Sequence, residues 1–216
     1  MAIYVTSDAH GHVRALDEAL SKISLASDDT LYVLGDMIDR GPDPVGVIKL
    51  ARSLPNAHVL KGNHEQIMLD AIIGQDPLDA ETWDINGGWT TRQQLNDMEF
   101  EAYEELVRWM ATLPLYAVVE TAERPFLLVH AGIQTEAARA FLLEHGVDCA
   151  DGGGAVDADG ELLQQMLAVQ SSDDLLWIRH GYWDAPTGLL SAEGKGPVVV
   201  SGHTPTVSLG RYCEVG

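Results

Sequence analysis

A chain of 216 residues, 46% of them hydrophobic, can close one sizeable core, so a single domain over residues 1–216 is the expectation. With 13 Lys and Arg against 33 Asp and Glu, the net charge of −20 disfavours nucleic acid or an anionic membrane as a partner held by surface electrostatics. The chain enters the strand-like "AIYVT" at residue 2, no apolar run reaches the roughly 18 residues that span a bilayer, and Cys149 and Cys213 form no C-x-x-C pair. A soluble protein of the reducing cytoplasm is expected.

In chain order, β-rich runs fall at "AIYVT" 2–6, "LYVL" 31–34, "AHVLK" 57–61, "PLYAVVE" 114–120, "PFLLVH" 125–130 and "PVVVS" 197–201. Between the first three lie helical patterns. In "HVRALDEALSKI" the residues Leu16, Leu20 and Ile23 share one face, and in "DPVGVIKLARSL" Asp43 caps while Pro44 takes the first helical position. Strand, helix, strand, helix, strand predicts parallel strands joined by right-handed crossovers, hence an α/β sheet. "HEQIMLDAII" and "EAYEELVRWMATL" also read as helices, the latter inside a helical, cap-like insertion around 74–112. The acidic "ADGGGAVDADG" at 150–160 reads as a loop. A calcium loop with Gly160 as its central glycine would need an acidic ligand where Ala155 stands and a glutamate where Met166 stands.

The residues just past the strand ends carry the chemistry. "SDAHGH" comes after the first strand, "GDMIDRGP" after the second, "GNHEQ" after the third, "HAG" after the run at 125–130 and "SGHTP" after the run at 197–201. Asp8, His10, Asp36, Asn63, His64, His130 and His203 therefore sit at strand ends, expected along one sheet edge, where open α/β sheets bind ligands. One such His is ordinarily a turn residue. Five such endings in one chain predict a shared site.

Imidazole, carboxylate and amide donors without thiolate suit Mn²⁺, Fe or Zn²⁺. Six ligands are too many for one catalytic ion and suit two that share a carboxylate. Asp36 is the expected bridge, with Asp8 and His10 completing the first metal and Asn63, His130 and His203 the second. Two divalent ions outweigh Asp8, Asp36 and a bound hydroxide, and Arg40 adds to the positive balance, so such a pocket attracts a phosphate dianion despite the distant surface charge.

The motifs "SDAHG", "GDMIDRG", "GNHE", "HAG" and "GHTP", in this order, resemble those of the metal-dependent serine/threonine phosphoprotein phosphatases. "GNHEQIMLD", "WDINGGWTT", "LLWIRH" and "SGHTPT" add a likeness to the compact bacterial and phage lambda-type branch. The resemblance runs from about residue 3 to 208. It implies a calcineurin-like α/β sandwich of two mixed β-sheets flanked by helices, two metal ions, commonly manganese, and direct attack of a metal-bound hydroxide on phosphoserine or phosphothreonine monoesters. It further implies that His64 protonates the leaving group, Asp39 orients His64, Arg40 forks onto the phosphoryl oxygens, and Arg179 supplies a second phosphate contact.

Some positions depart from that pattern. Ser7 stands where glycine usually precedes the first Asp, His12 replaces a Cys or Asn and reads as a rim residue, and His180 follows Arg179 where an acidic residue is common. The chain closes at "LGRYCEVG", where relatives usually add a pair of strands, so a truncated or shorter sheet edge is expected. His58 reads as a strand residue, His145 as a helix C-terminal one, and Trp83 and Trp89 as anchors of a helix in preference to base-stacking groups.

The alternative reading is a symmetrical diadenosine tetraphosphate hydrolase using the same metals. Those relatives tend to carry alanine before the arginine and "GNHD", so Asp39 and Glu65 lean toward the phosphoprotein reading. A metal-binding scaffold without activity would be expected to lack His64 or Arg40, and both are present. The substrate partner is thus a phosphorylated protein or small phosphomonoester, and the oligomeric state is left open.

Overall fold

Short runs of β-branched and aromatic residues build a first, fully parallel sheet. In the computed structural model the described residues are 2–74, 76–149, 153–183 and 186–205, and they form two compact units, residues 1–114 and 115–216. In the first unit β1 (Ile3–Thr6), β2 (Thr30–Val33) and β3 (Ala57–Val59) pair in the order β1-β2-β3, with Val5 opposite Tyr32 and Val33 opposite Val59. Helices α1 (Val13–Ile23) and α2 (Pro44–Ser53) make the crossovers. The start of α2 is as its sequence predicts: the Asp43 side chain accepts from Gly46 N at 2.9 Å and Pro44 opens the helix.

Beyond β3 the first unit continues through α3 (Asn63–Ile73), α4 (Pro77–Ile85), α5 (Trp89–Asn96) and α6 (Phe100–Ala111). α4 packs on α3, α5 on α2 and α6 on α3. Trp83, Leu95, Leu106 and Met110 belong to the same buried cluster as Leu31, Val33, Ile48 and Met68, so these helices share the core of the first sheet. This core fixes the strand ends: Leu34, Met37 and Ile38 are almost wholly buried on either side of Asp36.

The second unit is built on β4 (Tyr116–Glu120), β5 (Pro125–Val129) and β6 (Val198–Val200). β4 pairs antiparallel with β5, and β5 parallel with β6. Helices α7 (Thr135–Glu144), α8 (Gly160–Ala168) and α9 (Ser172–Trp177) complete it, and Leu127, Val129, Ile133, Leu142, Leu163 and Leu167 form its core. The tail of the acidic stretch is a helix start, because Asp159 accepts from Leu162 N and caps α8. All of "LGRYCEVG", including Cys213, lies outside the described residues.

The protein is thus α/β with two sheets flanked by helices. The reading of all strand ends along one sheet edge is corrected: those at 8, 36 and 63 follow the strands of the first sheet, and those at 130 and 203 follow strands of the second. No helix among the described residues is long and apolar enough to cross a membrane.

Candidate active site

In the first unit the turns after β1 and β2 interlock through their backbones. Asp8 N donates to Gly35 O at 3.1 Å, His10 N to Asp36 O at 2.9 Å, and Gly11 N to Met37 O at 2.8 Å. The cost is backbone strain: Asp8, His10, Asp36, Asp39 and Arg40 all have positive φ, between 41° and 68°. Non-glycine residues enter this region rarely and collect there at functional sites. Gly35, at φ +88°, must be glycine, since a Cβ there would lie 2.3 Å from Gly62 N on the neighbouring turn.

Two buried carboxylates hold these turns to α3. The Asp36 Oδ1 atom accepts from His64 N at 3.0 Å, placing a carboxylate at the positive end of the helix. Glu65, itself in the first turn of α3, accepts three backbone N–H groups, from Asp36, Met37 and Gly62, each at 2.8 Å. Burial pushes the Asp36 carboxyl well above its ordinary value, and the neighbouring charges of Glu65 and Asp8 add to this. Burial likewise raises Glu65, against its three backbone hydrogen bonds.

His10 is prepared as a donor of one defined nitrogen. Its Nδ1–H donates to Ile38 O at 2.9 Å, which leaves the Nε2 lone pair facing Asp36 Oδ2 at 3.6 Å. Burial lowers its pKa from 6.5 to about 4, with His64 and Arg40 contributing, so the ring is neutral at ordinary pH. Ligand-type atoms of His10, Asp36 and His64 lie within 4.8 Å of one another. Asp8 is not in that trio, although its charge acts on both His10 and Asp36. Asn63 is buried as the first residue of α3.

His64 and Asp39 form a buried pair, Nδ1 to Oδ2 at 2.7 Å, with side chains 1% and 0% exposed. The Arg40 guanidinium spans two imidazoles, Nη1 donating to His10 Nε2 at 2.9 Å and Nη2 to His64 Nε2 at 2.8 Å. Both nitrogens therefore present lone pairs to it. Asp39 carries further partners that the sequence reading missed. Thr91 Oγ1 donates to Oδ1 at 2.6 Å, and Trp83 Nε1–H reaches Oδ1 at 3.0 Å and Oδ2 at 3.2 Å. The signal lay in "WDINGGWTT", whose Gly-Gly turn joins the Trp and the Thr.

In the second unit, His130 follows β5 and His203 follows β6. Gly202 N donates to His130 O at 2.8 Å, and His130 Nε2 and His203 Nδ1 are 3.2 Å apart with the rings edge to face. One of those nitrogens donates to the other. The Trp177 ring lies nearly perpendicular to that of His203, with centroids 6.1 Å apart. Arg179 is exposed and its Nη1 donates to Thr204 Oγ1 at 3.3 Å.

The remaining histidines are not brought into either cluster. His12 is exposed beside α1, His58 stacks on Tyr32, and His145 closes α7 with its ring against Phe141. Cys149 is a buried free thiol.

A family model described as calcineurin-like phosphoesterase matches residues 1–215. A symmetrical bis(5'-nucleosyl)-tetraphosphatase of Proteus mirabilis is 32% identical over 220 residues, which cover 99% of this chain and 68% of that protein. One of the same name from Erwinia tasmaniensis is 30% identical over 136 residues, 62% of this chain and 45% of that protein. Among solved structures, a protein serine/threonine phosphatase from Saccharomyces cerevisiae matches with a TM-score of 0.49 and 18% identity, covering 82% of this chain and 51% of that one.

Proposed function

The chain belongs to the calcineurin-like phosphoesterase family, and from that footing we propose that it hydrolyses a symmetrical dinucleoside tetraphosphate at the central phosphoanhydride. The observation that carries this reading is the 32% identity to the Proteus mirabilis tetraphosphatase over 99% of the chain. It takes precedence over the expectation of a phosphoprotein substrate, which rests on local motifs.

The family implies divalent metal ions, and the donor chemistry in the first unit fits them. His10 Nε2 offers a lone pair in a fixed tautomer beside the Asp36 carboxylate, and Asp36 is crowded by Glu65 and Asp8, a repulsion that a cation relieves. Asp8, His10, Asp36, Asn63, His130 and His203 are the residues proposed to hold the ions. When bound, divalent ions supply Lewis-acid stabilisation of charge on a phosphoryl group.

The chain's own groups do the rest. Arg40 presents two N–H donors from one planar fork, suited to two phosphoryl oxygens at once, and its fixed positive charge offsets the negative charge of the neighbouring Asp36 carboxylate. Asp39 holds His64 by Nδ1, which fixes the imidazole plane, and Nε2, which here accepts from Arg40, is the ring atom that takes up a proton before delivering it to the leaving oxygen. Arg179 is proposed as a further phosphate contact.

One observation favours a second reading, a phosphomonoesterase acting on phosphoserine or phosphothreonine. A nucleoside diphosphate leaves as a weak base and gains little from a proton donor, whereas an alkoxide gains much. The buried Asp39–His64 pair is the apparatus an alkoxide leaving group needs.

The two readings separate in one experiment. Metal-stripped protein is reloaded with Mn²⁺ and given diadenosine tetraphosphate and a phosphothreonine peptide side by side. Faster turnover of the dinucleotide supports the first reading, and faster release of phosphate from the peptide replaces it with the second.

A further inference from the structure

We propose that Trp83 and Thr91 are positioning residues that act on the leaving-group proton through Asp39, so that "WDINGGWTT" is a brace for the Asp39–His64 pair. The inference rests on the reading of His64 as the proton donor.

The geometry is specific at each atom. Asp39 is held from both sides of its residue by Thr91, whose hydroxyl accepts from Asp39 N at 2.9 Å and donates to Oδ1 at 2.6 Å. Trp83 Nε1–H straddles both carboxylate oxygens, and His64 Nδ1 takes Oδ2. Three donors converging on a carboxylate that is 0% exposed leave it one orientation, and His64 inherits that orientation. Without them the carboxylate is free to rotate about its χ angles at a residue whose backbone is already strained, at φ +68°.

The rest of the motif serves the indole. A Cβ on Gly88 would lie 2.2 Å from Trp83 Cδ1 and 2.3 Å from Nε1, so only glycine lets the ring reach Asp39. Gly88 N returns to Trp83 O at 2.9 Å, and Asn86 Nδ2 donates to Thr82 O at 2.8 Å, closing the turn between α4 and α5. On the indole's other contact, the Arg92 guanidinium lies 4.9 Å from the ring centroid and pairs with Asp84 at 2.9 Å. Gly87 O accepts from Arg40 N at 3.0 Å, so the same turn also supports the residue after Asp39.

A mere packing role predicts a uniform loss of activity when these residues change, whereas a positioning role predicts a loss graded by leaving group. The test uses the metal-loaded full chain with Thr91→Val, Thr91→Ser, Trp83→Phe and His64→Ala. Rates are measured on phenyl phosphate, whose leaving group needs a proton, and on dinitrophenyl phosphate, whose leaving group does not. General acid catalysis contributes ~10²–10⁴-fold, so partial misorientation in Thr91→Val should cost roughly tenfold or more on phenyl phosphate and less than about threefold on the dinitrophenyl ester. Thr91→Ser should restore both.

An activity-independent readout is the proton NMR signal of His64 Nδ1–H, assigned by its absence in His64→Ala. It should shift or broaden in Thr91→Val and Trp83→Phe and return in Thr91→Ser. Equal losses on the two esters, or an unchanged Nδ1–H signal, would overturn the proposal. If His64→Ala itself shows no leaving-group dependence, the proton-donor reading of His64 falls, and the NMR signal alone decides whether Trp83 and Thr91 hold the pair.

Discussion

Replacing Glu65 by glutamine keeps the shape of the side chain and removes one acceptor oxygen. In the structure Oε1 accepts from Met37 N and Oε2 from both Asp36 N and Gly62 N, all at 2.8 Å and out of reach of water. In its better orientation the amide oxygen replaces Oε2 and keeps two bonds, while the amide NH₂ faces the Met37 N–H, donor against donor. A buried donor left without a partner costs about 1–3 kcal/mol, and the two surviving bonds lose their charge assistance at about 1 kcal/mol each. Against this, burial penalises the charged Glu65, so a neutral side chain recovers part of that sum. A net loss of about 2–3 kcal/mol is expected, large beside the ~5–15 kcal/mol of a typical domain. Urea unfolding of the metal-free proteins should show an earlier midpoint, and calorimetry should show weaker Mn²⁺ binding, because Glu65 fixes the backbone of Asp36. A glutamine variant within ~0.5 kcal/mol of the parent and with the same metal affinity would refute the acceptor argument.

The same geometry sets other outcomes. Arg40→Ala should slow turnover by ~10²–10³-fold, the scale for losing a transition-state oxyanion donor, and Arg40→Lys should recover only part of it because lysine lacks the fork. Asp36→Asn should lose Mn²⁺ binding measured directly by calorimetry, and normal binding would remove Asp36 from the ligand set. For His10, held near a pKa of about 4 against 6.5 when unfolded, the unfolded chain carries the extra proton between those values, so its contribution to metal-free stability is lost as pH falls from 6.5 toward 4. His10→Asn, which does not titrate, should flatten the stability profile across that window by up to about 3 kcal/mol. Gly35→Ala should yield no folded protein in a circular dichroism melt, because its Cβ meets main chain at 2.3 Å where nothing flexible can give way.

The parts of the molecule that were legible in the sequence are those specified by neighbours along the chain. Asp43 and Pro44 announce α2 because a cap and a first-turn proline act within three residues. The strand-end motifs are legible because each turn carries its own glycine and its own ligand-type side chains. What was hidden depends on partners far apart. Thr91 and Asp39 are 52 residues apart, and nothing in either segment alone says that a hydroxyl will meet that carboxylate. Helices α4 and α5 carry no clear apolar stripe: Trp83 is the buried residue of α4, and two of those buried in α5 are threonines. The two sheets were implied by the family resemblance, but placing all the strand ends along one sheet edge failed because the antiparallel β4–β5 pairing begins a second sheet, and strand sequences of this length do not name their partners. Glu65 was read as a marker of substrate class, when its position makes it the backbone acceptor for the Asp36 turn.

The central claim is that this chain is a metal-dependent phosphoesterase whose substrate is a dinucleoside tetraphosphate. Its most direct test gives the Mn²⁺-loaded full chain diadenosine tetraphosphate in heavy-oxygen water and identifies the nucleotide products by mass spectrometry. ADP is expected as the sole nucleotide product, with one heavy oxygen in half of the molecules, and no product is expected without metal. Metal-loaded protein that leaves the dinucleotide intact, or that yields AMP and ATP, would contradict the claim.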